Sequence, residues 1–175
     1  MSTLTPQITS VARREAIQIE LEATRTAFHA TLQRVGDARW RQSSPDSAWR
    51  FGQVLAHTAS YLDMVLPMAV KNARAGKNMP SMPDWEANYV NYQMGRLVAR
   101  KMNPERLAEK YDAAHARALT LLDGIADGEW TRETTIPIGR LTIEQLFLHH
   151  GVHARHHLAE VTAALDARAP APAMA

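Results

Sequence analysis

Five histidines fall within the nine positions 149–157 of this chain: His149, His150, His153, His156 and His157. They sit in the segment TIEQLFLHHGVHARHHLAEV, whose apolar residues recur at helical spacing. An α-helix turns about 100° per residue, so each position can be placed around its circumference. With His150 as the reference direction, Ile143, Leu146, Phe147, Ala154, Val161 and Leu165 lie within about 60° and mark the core-facing side. His153 and His157 share that side, whereas His149 and His156 lie about 100–120° away on the flank. A fold that turns three imidazoles inward must partner each one or gather them on a common ion, because unpartnered buried polar groups are costly. His153 and His157, four apart, can grip one metal ion, and so can His150 and His153, three apart. Spacing does not choose between these pairs.

A further inward histidine comes from an earlier helix. From Phe51 toward Arg74 the apolar stripe reads Val54, Tyr61, Met64 and Met68, with His57 among them. The two methionines are expected to fill core. Tyr61, one turn after His57, is a pocket candidate or an ordinary core tyrosine. Pro67 predicts a kink or break in this helix.

The remaining segments complete an all-α plan. The first helix is predicted from about Ile8 to Val35, closed by Gly36-Asp37. A loop with Trp40, Pro45 and Trp49 follows, the tryptophans, with Trp85, reading as packing anchors. Residues 76–83 read as a loop and residues 84–101 as irregular helix. Asn103-Pro104-Glu105 is a helix start, with a capping residue, a first-turn proline and an acid near the positive helix end. That helix is predicted to run to about Ile125. Residues 134–141 read as an extended linker, and Thr142 with Gln145 forms a capping box for the last helix. The expectation is a single domain over residues 1–168, a four-helix bundle with a long, partly helical connection after helix two, and a mobile tail over 169–175.

Composition narrows the function. The chain has 175 residues, of which 46% are hydrophobic, enough to bury a core. The formal charge of +2 gives no nucleic-acid or membrane-surface signature. No apolar stretch approaches the roughly 20 residues of a membrane span, and the N-terminus lacks a signal-peptide core. With no cysteine there is no thiolate zinc site or cysteine nucleophile, and a cytoplasmic protein is expected. The Glu-x-x-His pairs of two-metal carboxylate bundles and the HExxH motif are absent.

Two stretches, WRFGQVLAH (Trp49 to His57) and HARHHLAEV (His153 to Val161), together with the overall layout, resemble the DinB/YfiT-like superfamily of small metal-binding four-helix bundles. The second matches that family's H-x-x-H-H-x-x-[QE]-[IV] ending. The resemblance implies a divalent-metal site at His57, His153 and His157, with His150 supporting the ligands from behind or lining the pocket, and His156 on the flank. Two positions depart from the pattern. Arg50 replaces a small capping residue, so Ser47 is the expected cap. Glu160 stands where glutamine is common and is expected to orient a ligand or, at the edge of the stripe, to face solvent. Zinc and nickel both suit imidazole ligands. The resemblance implies either a thiol-dependent transferase or isomerase, using bacillithiol or mycothiol, or a hydrolase, acting on a small molecule. It also implies a homodimer. The rival expectation is a non-catalytic metal-binding or stress-response protein with a structural metal, closed by His150 as a fourth ligand.

Overall fold

The computed structural model describes residues 9–44, 49–80, 93 and 95–167. Helix α1 (Ser10–Arg39) starts where the Thr9 hydroxyl accepts the Ala12 N–H. The predicted punctuation at Gly36 is a kink, with φ 51° and ψ −174°, after which one more turn reaches Arg39. Helix α2 (Phe51–Ser60) begins at Arg50, whose N–H donates to Gln53 Oε1 at 2.8 Å. Ser47, the expected cap, lies outside the described residues.

Pro67 does not break the second helix. A π-helical turn over Tyr61–Val65 leads into α3 (Leu66–Arg74), with the Leu66 N–H donating to Tyr61 O. Such a turn takes up about one extra residue, and one residue is about 100° of rotation. The stripe that includes His57 and Tyr61 is therefore not continued by Met64 and Met68. These methionines, expected in the core, are 43% and 44% exposed, while Leu62, Leu66, Ala69 and Val70 point inward.

Residues 93 and 95–100 are helical. Positions 81–92 and 94, Trp85 among them, lie outside the described residues, as does the tail 169–175. Helix α4 (Pro104–Asp123) starts as predicted, with Asn103 Oδ1 accepting the Arg106 N–H at 2.9 Å. It stops at Gly124, and one 3₁₀ turn follows over Asp127–Glu129.

The stretch expected as an extended linker is an antiparallel hairpin, β1 (Glu133–Ile136) with β2 (Gly139–Thr142). The β-branched run Thr134, Thr135 and Ile136 favours the strand, and Pro137-Ile138 forms the two-residue loop. Proline holds a negative φ, so the positive φ that the reversal needs falls on Gly139, at 133°. The Met79 N–H and the Thr134 hydroxyl tie this hairpin to the segment after α3. Helix α5 (Ile143–Asp166) follows directly, capped by the reciprocal Thr142–Gln145 bonds that its sequence predicts.

The fold is an all-α four-helix bundle, with the hairpin at its edge. Helix α1 packs on α4 and α5, and the α2–α3 unit packs on the same two. The order around the bundle is thus α1, α5, α2–α3, α4, so the consecutive helices α1 and α2 lie across the diagonal. Phe28, Phe51, Tyr111 and Phe147 fill the middle, with Phe28 stacked on Tyr111. This arrangement sets α2 against α5, which brings His57 to the histidine-rich helix.

Candidate metal centre

His57 of α2 meets His153 and His157 of α5 across the α2–α5 seam. Each offers one ring nitrogen, and these three atoms lie within 4.8 Å of one another. The Nε2 atoms of His57 and His153 are 3.1 Å apart. Two nitrogens bound tetrahedrally to one zinc ion at about 2.0–2.1 Å would be separated by about 3.3 Å, so the observed spacing is close to that of a shared ligand sphere. The His157 ring completes the group, 5.1 Å from His57 and 4.7 Å from His153 between centroids. All three side chains are half-buried. The Trp49 ring packs edge-on against His57 at 4.8 Å.

The electrostatics favour neutral imidazoles, the form that binds a cation. Burial pushes His57 down to about 4, with the His157 charge adding to the effect. Burial pushes His153 down to about 2, helped by His57 and His157. Burial also lowers His157, but Glu160 opposes that shift. The Nδ1 atoms of His153 and His157 are buried without a hydrogen-bond partner among the described residues. Three neutral, converging imidazoles fit a divalent ion, which His57, His153 and His157 would hold.

Glu160 is not turned out to solvent. Its side chain is 14% exposed, and its Oε1 accepts the Ser44 hydroxyl at 2.6 Å. Its Oε2 stands 3.6 Å from His157 Nδ1, which is an electrostatic approach rather than a hydrogen bond. Ser44, on the loop before α2, was not singled out by the sequence. Only the tertiary fold brings it to Glu160, 116 positions away.

His150 lies outside the cluster. It is fully buried, and its Nε2 pairs with the Tyr111 hydroxyl of α4 at 3.0 Å. Tyr61 is also committed elsewhere: its hydroxyl donates to Leu146 O at 2.9 Å, while its ring borders His149, His150 and His153. His149, expected on the flank, is the half-buried histidine beside the triad, with its ring 5.9 Å from His153. The overlooked signal was the row His149, His153, His157 at i, i+4, i+8, which drifts from the flank of the helix toward the centre of its apolar face. His156 is exposed.

No described helix is long and apolar enough to cross a membrane. No curated protein sequence matches this chain. Solved structures do match its fold. The mycothiol-dependent maleylpyruvate isomerase superposes with a TM-score of 0.68 at 17% identity, covering 92% of this chain and 63% of that one. This chain therefore spans under two thirds of the isomerase. YfiT from Bacillus subtilis, described as a probable metal-dependent hydrolase with an unusual four-helix bundle topology, superposes with a TM-score of 0.70 at 17% identity, covering 95% and 93%. An uncharacterised protein from Clostridium difficile 630 gives 0.69 at 12% identity, covering 86% and 94%. The sequence profile of the DinB superfamily matches residues 20–161, a span that begins in α1 and takes in all three clustered histidines. On that match and this fold, the chain belongs to the DinB superfamily.

Proposed function

We propose that this protein is a divalent-metal-dependent enzyme, a thiol-dependent transferase or isomerase or else a hydrolase, acting on a small molecule. One observation carries the reading: three converging neutral imidazoles from two helices, with the remaining histidine of the inner face, His150, bonded to Tyr111 instead. A three-histidine set leaves room for a substrate atom, whereas a structural site is closed by a fourth protein ligand. A bound zinc or nickel ion would stabilise an anion at that position, hydroxide or thiolate, or polarise a carbonyl.

This chain's own residues have distinct parts. His57, His153 and His157 would hold the ion, and the edge of Trp49 limits how the His57 ring can turn. Glu160, anchored by Ser44, places its negative charge 3.6 Å from His157 Nδ1, which would favour a proton on that nitrogen and raise the basicity of the ring. His149 borders the triad, with its ring 5.9 Å from that of His153. The named relatives support both chemistries, since one is a thiol-dependent isomerase and the other a probable hydrolase. The reading takes the protein as cytoplasmic, which the absence of cysteine suits, and as a homodimer.

Cobalt substitution tests the open position. The cobalt-loaded protein titrated with 2-mercaptoethanol is expected to develop a sulfur-to-cobalt charge-transfer band in the near ultraviolet. A spectrum unchanged by thiol and by azide would mean a closed site and a structural metal.

A further inference from the structure

The segment that leads into α2 touches both sides of the histidine cluster. Residues 40–44 and 49–52 run antiparallel. The Gly52 N–H donates to Trp40 O at 3.1 Å, the Phe51 N–H to Gln42 O at 3.0 Å, and the Ser44 N–H to Trp49 O at 2.8 Å, with a bridge between Ser43 and Arg50. Trp40 seats this pairing on the helix: a Cβ at Gly52 would come within 2.4 Å of its ring, so only glycine permits the approach. Ser44 and Trp49, joined by one main-chain bond, reach different helices. The Trp49 ring meets His57 of α2 at 4.8 Å, and the Ser44 hydroxyl donates to Glu160 Oε1 of α5 at 2.6 Å. The segment is continuous with α2, so the Ser44–Glu160 bond crosses the same seam that an ion held by His57, His153 and His157 would cross.

Ser44 is 4% exposed and the Glu160 side chain 14%. A carboxylate withdrawn from water needs hydrogen bonds in place of its hydration. Ser44 supplies one to Oε1, which leaves Oε2 on the side of His157, 3.6 Å from Nδ1. That nitrogen is buried and has no hydrogen-bond partner among the described residues. A proton on Nδ1 leaves the lone pair of the ring on Nε2, which can then take a cation. Holding a glutamate side chain in one rotamer costs entropy that its hydrogen bond must offset. Without the hydroxyl, the carboxylate turns toward water and leaves Nδ1 unattended.

We propose that Ser44 is a positioning residue of the metal centre, which acts through Glu160 to orient the His157 ring and so sets the affinity for the ion. The proposal rests on the metal reading of the three histidines. Zinc affinity of the full chain, measured at one pH by competition with a chromophoric chelator, tests it in wild type, Ser44→Ala, Glu160→Ala and the double variant, each with unchanged circular dichroism. Ser44→Ala is expected to weaken zinc binding by about tenfold, the scale of a lost outer partner of a histidine ligand. Glu160→Ala should weaken it at least as much. The double variant should bind no more weakly than Glu160→Ala alone, because the hydroxyl acts only through the carboxylate. Ser44→Gly or Glu160→Leu, which remove the same groups, stand in for an alanine variant that does not fold. An affinity unmoved by Ser44→Ala would overturn the proposal. So would losses that multiply in the double variant, since Ser44 would then serve the loop and not the site. In either case a wild type that takes up zinc leaves the histidine site standing, whereas a wild type that takes up none overturns both readings.

Discussion

Two groups of histidines on the same helix have opposite surroundings. His153 and His157 lie half-buried, face His57 across a seam, and leave their Nδ1 atoms without a hydrogen-bond partner among the described residues. His150, one turn earlier, is fully buried against Tyr111. All three belong to the inward side of α5 by helical period. What separates them is the helix each one meets. The α2 side offers another imidazole at a half-buried seam, whereas the α4 side offers a phenol deep in the core. A shared inner face therefore does not give shared surroundings: the partner across the interface decides whether an imidazole converges with others or packs into the core.

The largest expected effect tests that separation directly. A His153→Ala/His157→Ala variant should lose its bound metal, read by elemental analysis of the purified protein. His150→Ala should keep its metal yet lose about 2–4 kcal/mol of stability to denaturant, from the cavity and from the stranded Tyr111 hydroxyl. Equal metal content in the wild type and the double variant would dissolve the distinction.

Acid should act on both groups in the metal-free protein. Burial, aided by the charges of His115 and His149, pushes His150 down to about 4, from an ordinary value of 6.5. The unfolded chain takes up that proton first as pH falls. The contribution of His150 to stability is thus complete above pH 6.5 and is lost between 6.5 and 4, by about 3 kcal/mol at 1.36 kcal/mol per unit. His57, pushed to the same value chiefly by burial, loses stability across the same window. Denaturant melts at a series of pH values should show this decline, and His150→Gln should flatten it. A wild-type curve level from pH 7 to 4.5 would contradict the buried, neutral state of these rings.

The smallest effect sharpens the core side. Tyr111→Phe removes only the hydroxyl that meets His150 Nε2, and should cost about 1–2 kcal/mol while leaving metal content unchanged. A loss of metal in this variant would couple the two groups that the structure keeps apart.

The bundle was legible in the sequence because its signals are local. Thr142 with Gln145, Asn103-Pro104 and Gly36 each act within a turn of the backbone, and each does so in the fold. The hairpin was missed because short strands carry little period, and its pairing rests on a two-residue loop between them. Met64 and Met68 were misplaced because a single wide turn rotates every later residue, and the ideal helical period does not contain it. The inward direction of His57, His153 and His157 was set by apolar periodicity, and the family motif singled them out from His150. Their convergence, the Ser44–Glu160 bond and the pairing of His150 with Tyr111 were decided by tertiary structure alone. Periodicity fixes the angle of a side chain about its own helix axis, while the residue that meets it depends on how two axes cross and at what height, which no single segment encodes.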